Sequence, residues 1–568
     1  MILGKSISQG YGFRLINYTD NPADYKAYPG FPLILSLIYF IFGSKFIESN
    51  ILIVSKIIVF TCFILSVLFF YLIAKKDLDR LTLLLALIFF ITHPELLSFS
   101  SKVMTEIPYI LCMLITIYFY NLNYREISEE NNIKYLDNSK SNYSENESSR
   151  LNFNVEILRG AQDDNDEHSE DKNNLFNKGR KDLKNRNSRF LDKILIEKVK
   201  KHLNINFILL IFFSIFTFLI RPIGIFIILA IFLQILLNEN KIRSGIYLGI
   251  TLIPVILWNL RAVISNKVSY VSEFFIVNLS DYSEGNIDFI KFFERAKSNF
   301  IYYYKTVFLQ LTNGLEDILR KNIFIIKNSN FFKILKIKDL HFIAIILATI
   351  FIILGIVYFL KRRKYIYILY FIFYFAGLLI WPWQSERLTI CVIPILIILF
   401  SSGVLFFKDL ILKISTKKII KIFASTVLIL TFIIFLIGSI YSGYFVIKKS
   451  LDYKNKGIFI YSKRWENFYD AMYWLKENSY DGSSILSRSN FLVYIITNRE
   501  TISFPYSDDE QKQKKYLNKS DFIIQDRTNE RFMKYVYPII EKYKENFETV
   551  YEAGNGGTVV YERLKKLD

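Results

Sequence analysis

Long apolar runs alternate with short charged ones along this chain. Runs long enough for a transmembrane helix cover about 51–74, 82–98, 105–122, 205–220, 222–237, 244–261, 341–360, 365–381, 388–407 and 420–445. Ten spans are expected. An earlier apolar stretch, "AYPGFPLILSLIYFIFG" at 27–43, is too short to cross a bilayer. Its prolines and glycine fix a bend, and its apolar part suits a helix lying in, or dipping into, the membrane interface.

The run at 205–237 could be one long tilted helix or two short ones meeting at Arg221-Pro222, and charge distribution separates the two. Two helices put Lys75, Lys76, Arg80, "KRRK" at 361–364 and "KKIIK" at 417–421 on one face, expected to be the cytoplasmic one. One helix would place "KRRK" outside and leave Arg221 at mid-bilayer, at a cost of about 2.5–3.5 kcal/mol or more. The hairpin is therefore expected.

That parity divides the chain into an outer loop with an interfacial helix (1–50), three spans (51–122), a cytoplasmic insert (123–204), three spans (205–261), an outer-face loop (262–340), four spans (341–447) and an outer-face tail (448–568). Asn, Ser, Glu and Lys dominate the insert, acidic early and basic late, which is the composition of a disordered spacer whose basic half can touch anionic lipid. The tail has a different pattern. In "RWENFYDAMYWLKENS", Phe468, Met472 and Leu475 recur at helical spacing; "SSILS" and "DFIIQD" suit short buried strands; "NERFMKYVYPIIEKYKENF" suits a second amphipathic helix; and "NGG" at 555–557 suits a hairpin turn. The expected fold class is thus a polytopic α-helical membrane protein with a small C-terminal soluble α/β domain.

Composition changes this picture little. Of 568 residues 52% are apolar and 17% aromatic, and the net charge of +19 lies mainly in short runs between spans, where it is a topology signal rather than a nucleic-acid footprint. Cys62, Cys112 and Cys391 stand far apart in apolar runs, which indicates neither a disulfide framework nor a zinc site. GxSxG and GK[ST] loops are absent, so serine-hydrolase and P-loop chemistry have no support.

In order along the chain, "GKSISQGYGFRLIN", "YPGFPLILSLIYFIFG", "SSKVMTEIPYILCML", "IRPIGIFIILAI" and "QSERLTICVIPILIIL" together resemble the GT-C membrane glycosyltransferases. The branch most similar contains the protein mannosyltransferases and the aminoarabinose-lipid transferases, and the tail is similar to the outer-face domain of bacterial members. The resemblance implies transfer of a sugar from a polyprenyl-phosphate carrier to a lipid, glycan or protein acceptor at the outer face of a bacterial inner membrane. Such chemistry needs a carboxylate to take the acceptor's proton and cations to stabilise the departing lipid phosphate. Asp24 and Glu106 are the candidate bases, Arg387, Arg221 and Lys26 the candidate phosphate ligands, and Lys102 and Tyr28 candidate lining residues; Asp20 is weaker. Lys102, four residues before Glu106, is expected to neutralise it across one helix face. Helix capping, interfacial snorkelling or an Arg387–Glu386 ion pair are the plainer accounts of the same residues. No cofactor is required; a divalent metal is the open alternative, but His93 and Glu95 alone do not complete a site.

In the family a first helix and a catalytic aspartate precede residues like "LGKSISQGYG", so the resemblance leads us to expect that both lie upstream of Met1. Two other functions are carried: a transporter or flippase of a lipid-linked saccharide, and a non-catalytic family member. Against the former, no repeated halves are visible.

Overall fold

The computed structural model describes residues 1–124, 204–277, 285–321, 337–454 and 463–568, apart from positions 19, 43, 239–240, 266, 268–271, 415–417, 528 and 555–556. Nearly all of the insert expected at 123–204 lies outside the described residues.

The chain opens with α1 (Ile2–Ser8) and α2 (Gly30–Phe42), which pack on each other. Thirteen residues give α2 a length of about 20 Å. It buries Phe31, Pro32, Leu35 and Tyr39 and exposes Leu37, Phe40 and Ile41, the two-faced burial of a helix with one side on protein. Next come α3 (Ser44–Ala74), α4 (Arg80–Thr92), α5 (Pro94–Ser100), α6 (Glu106–Tyr124), α7 (Ile205–Ile220), α8 (Ile225–Asn238) and α9 (Lys241–Ile264). They are followed by α10 (Phe289–Lys321), α11 (Ile337–Lys361), α12 (Ile366–Ile380), α13 (Ile393–Ile414) and α14 (Lys418–Lys454).

Among the described residues five helices are long and apolar enough to cross a membrane, or six if α4 and α5, bent by 50° at His93-Pro94, count as one span. The expected spans at 205–220, 222–237 and 365–381 correspond to shorter apolar helices, and 420–445 falls within the 37-residue α14. The 28-residue stretch Glu386–Lys413 is 89% buried over its apolar window and α9 only 17%, so α13 is central and α9 peripheral. The 262–340 segment, expected as a loop, contains the 33-residue α10, packed against α11, α12 and α14. Lys291, Glu294, Arg295 and Lys297 dilute its hydropathy, which hid it from a search for apolar runs.

Charged loops meet at one end of these helices. Asp77, buried, pairs with Lys364 and accepts from Tyr367, while its backbone carbonyl accepts from Tyr358 at 2.7 Å. Lys408 reaches Asp79 at 3.0 Å, and Gln234 and Asn238 of α8 both donate to the Arg363 carbonyl.

The tail is a mixed five-stranded sheet with helices. Its order is α15 (Lys463–Asn478), β1 (Ser484–Leu486), α16 (Asn490–Thr497), β2 (Glu500–Ile502), α17 (Glu510–Leu517), β3 (Phe522–Asp526), α18 (Glu530–Tyr535), α19 (Tyr537–Lys542), β4 (Phe547–Ala553) and β5 (Thr558–Arg563). Strands run β2-β1-β3-β5-β4, with β1 parallel to both β2 and β3 and the β4–β5 hairpin antiparallel. Phe468, Met472 and Leu475 are fully buried against Ile485, Phe522 and Val560, as their spacing requires. The second amphipathic helix is split into α18 and α19 at Val536, where Pro538 in the first turn of α19 has no N–H to continue the ladder.

By contacts the residues form two units, Met1–Leu114 with Ser214–Asp568, and Ile115–Phe213. In the second, Phe119 stacks on Phe213 at 5.6 Å. Everything below concerns the first.

Candidate active site

Glu106 begins α6 and is fully buried. Its Oε1 accepts from Arg221 Nη1 at 2.8 Å and from Arg387 Nε, whereas Oε2 has no hydrogen-bond partner among the described residues. Two guanidiniums thus share one carboxylate oxygen, leaving the trio with a net single positive charge. Arg221 is 9% exposed at its side chain and also donates to Cys391 Sγ at 3.6 Å. Arg387 is 45% exposed, so it is the cation that something from outside can reach.

The fold brings these residues together by three local devices. Arg221 has extended backbone (φ −148°, ψ 139°) ahead of the 3-10 turn Pro222–Gly224, which ends α7. The chain folds back there: a Cβ on Gly224 would lie 2.6 Å from the Phe218 backbone, so only glycine fits without movement. Gly30 is seated the same way, its missing Cβ position 2.8 Å from Leu219 and Ile220 backbone atoms, which brings the first loop beside Arg221. Arg387 lies in a second 3-10 segment, Glu386–Val392, leading into α13.

Aromatic hydroxyls surround the trio. Tyr109 and Tyr370 share a hydrogen bond of 3.1 Å, and Tyr374 donates to the Leu388 carbonyl next to Arg387. Beyond Leu388 a small apolar cavity of about 20 Å³, room for about one water, is lined by Ile223, Phe226, Phe274, Tyr374, Gly377, Leu378, Trp381 and Leu388. Charged side chains and an apolar hollow therefore adjoin.

The other expected site residues are engaged elsewhere. Lys102 lies in a turn before α6 begins, so the helical i, i+4 pairing with Glu106 does not form; its ammonium sits 4.2 Å over the Phe99 ring. Asp24 Oδ1 accepts the Lys26 and Ala27 N–H groups at 2.8 and 3.1 Å, a turn-forming role, and its carbonyl takes a bond from Arg261. Lys26 pairs with the buried Glu273 at 2.6 Å. Tyr28 is buried edge-on to Phe218, near the end of α7. His93 Nε2 bonds the Gln310 carbonyl at 2.7 Å. Among the described residues no group of three or more His, Cys, Asp or Glu is placed to hold a metal.

Tyr109, Tyr374 and Cys391 were not anticipated. Tyr109 follows Glu106 by three residues on the same helix face, a spacing that could have pointed to it; Tyr374 and Cys391 carry no local signal.

No protein-family model and no curated protein sequence matches the chain. Among solved structures the chain is similar to the crystal structure of ArnT from Cupriavidus metallidurans bound to undecaprenyl phosphate, at 9% identity over 99% of this chain and 92% of that one, with a TM-score of 0.48. Likeness at that level assigns no residue a role; the geometry above has to.

Proposed function

We propose that this chain is an integral-membrane glycosyltransferase that moves a sugar from a polyprenyl-phosphate donor to a lipid, glycan or protein acceptor, with the Glu106 cluster at the outer face of a bacterial inner membrane. One observation carries the reading: a buried carboxylate shared by two guanidiniums, a trio of net charge +1 with one member half exposed. A lipid monophosphate linked to a sugar offers the complementary anion, held at the membrane by its own hydrocarbon chain.

In the reaction the acceptor oxygen attacks the anomeric carbon, the bond from that carbon to the phosphate oxygen breaks, and the polyprenyl phosphate leaves with the electron pair. Charge grows on the phosphate, and Arg387, with Arg221 behind it, supplies the opposing positive charge. A guanidinium fork suits phosphate oxygens better than a point charge. Glu106 serves this reading as an anchor. One of its oxygens is held by both cations, and its work is to aim the two guanidiniums. The acceptor's proton needs a carboxylate outside the trio, and Asp24 is the remaining candidate base, its Oδ1 engaged in the turn of Lys26 and Ala27.

The test is to reconstitute the full chain in vesicles with a radiolabelled polyprenyl-phosphate sugar. Label is expected to pass to an acceptor, and Arg387→Ala is expected to lower that transfer about a hundredfold, the scale of one lost electrostatic stabiliser. Undiminished transfer by Arg387→Ala would remove the phosphate role. Label that crosses the bilayer still attached to its carrier would favour a flippase.

A further inference from the structure

The segment carrying Arg387 is held by one helix that the catalytic chemistry does not touch. Along one face of α10, Asn299, Tyr303 and Gln310 recur at i, i+4 and i+11, and all three are buried. Asn299 Nδ2 lies 2.7 Å from the Trp381 carbonyl, 2.9 Å from Leu379 and 3.3 Å from Leu378, gathering the free carbonyls at the end of α12. Tyr303 OH donates to the Trp383 carbonyl and accepts the Ser385 N–H, both at 3.2 Å. Gln310 Nε2 donates to Thr389 Oγ1 at 2.9 Å, and that hydroxyl donates in turn to the Glu386 carbonyl at 2.7 Å. Every one of these bonds ends on the stretch 378–389, on either side of Arg387.

We infer that Asn299, Tyr303 and Gln310 form a polar stripe that fixes the 378–389 segment and so sets the Arg387 guanidinium against Glu106, as positioning residues for phosphate recognition. The reason is mechanical. Residues 381–385 have no regular secondary structure, so without external bonds their backbone groups would be unsatisfied or free to choose other partners. Arg387 is 45% exposed and bonds Glu106 through Nε, and its aim is set by the backbone that carries it. Helix α10 has anchors apart from this segment, packing on α11 and α14. It is therefore a fixed rail from which the segment hangs. The inference rests on the proposed phosphate role of Arg387, and it adds three residues that never meet the substrate.

A binding experiment separates the two. Detergent-solubilised full chain is titrated with a short-chain polyprenyl phosphate and with the corresponding polyprenol, and the ratio of the two affinities measures recognition of the phosphate alone. Wild type is expected to prefer the phosphate and Arg387→Ala to lose that preference. Tyr303→Phe keeps the ring and removes only the hydroxyl; it and Asn299→Ala are expected to lower the ratio roughly three- to tenfold each, with polyprenol affinity unchanged, while Asn299→Ala, which strands buried carbonyls, is also expected to melt lower. A full preference in Tyr303→Phe and Asn299→Ala, in a preparation where Arg387→Ala has none, would overturn the positioning role. Equal affinity of wild type for phosphate and polyprenol would overturn the phosphate reading, and the stripe's role with it.

Discussion

Glu106 offers one oxygen to two guanidiniums and keeps the other without a partner, so its charge is buried yet answered. Buried ion pairs of this kind gain little net stability, but removing one partner is expensive because it leaves a charge in low dielectric. Glu106→Gln keeps the shape and removes the negative charge, leaving Arg221, 9% exposed, near Arg387 with no negative charge between them. The expected outcome is a lower melting temperature, by a destabilisation of about 3–5 kcal/mol, together with loss of sugar transfer. Glu106→Asp, which restores the charge at slightly greater distance, is expected to recover the melting temperature more fully than the activity. If Glu106→Gln melts with wild type and transfers normally, the trio is not the site. Its members were legible one by one as candidates. Their meeting was not, because 115 residues separate Glu106 from Arg221 and 281 separate it from Arg387, as 221 − 106 and 387 − 106. The nearest cation in sequence, Lys102, suggested a local pair that the start of α6 at Glu106 rules out.

At the scale of elements, the helices read most easily were those whose apolar residues form unbroken runs, and the one read as loop was α10. Its pattern is two-faced. Asn299, Tyr303, Thr306 and Gln310 face inward, while Phe289, Ile290, Phe293, Phe300 and Ile301 are exposed, Phe289 at 77% and Ile301 at 64%. A run of five large apolar side chains exposed on one face, flanked by Lys291, Lys297 and Lys305, suits the boundary between headgroups and acyl chains better than water. Hydropathy averaging hides such a helix; hydrophobic periodicity would have found it. Ile301→Trp should therefore be quenched by lipids brominated on the upper acyl chain when the full chain is reconstituted, and less by lipids brominated at the chain terminus. Fluorescence at the wavelength of a water-exposed indole, with no bromine quenching, would place the stripe in solvent. The tail shows the opposite balance: its α15 and hairpin follow from local spacing, but β2 and α17 went unread because three strand residues and a polar helix leave almost no period.

For the whole molecule the sidedness of the two ends decides whether the cluster can meet a donor at all. The first loop and the tail are joined: Thr501 N donates to the Asn17 carbonyl at 2.8 Å, Asn17 Nδ2 to Thr501 Oγ1 at 3.0 Å, and Asn490 Nδ2 to Tyr18 OH at 2.9 Å. That same loop is seated through Gly30 on the end of α7, immediately before Arg221. Tail, first loop and cluster thus belong to one end, while the loops of Asp77, Arg363 and Lys364 meet at another. Exposed Lys75, Lys76, Arg80, Lys361, Arg362 and Arg363 crowd the latter, and basic loops stay on the cytoplasmic side. Two single cysteines test this in sealed vesicles of known orientation. Tyr473 is 48% exposed on α15, so Tyr473→Cys should react with an impermeant maleimide from the outer side. Arg362→Cys should react only with a permeant one, or after the vesicles are opened. The native Cys112 and Cys391 are buried and Cys62 sits within an apolar helix, so background labelling should be low. If both introduced cysteines react with the impermeant reagent, the two ends are not on opposite sides of the membrane; if Arg362→Cys alone does, the basic end faces outward. A cluster at the tail's end would then face the cytoplasm, and a donor held in the outer leaflet could not reach it.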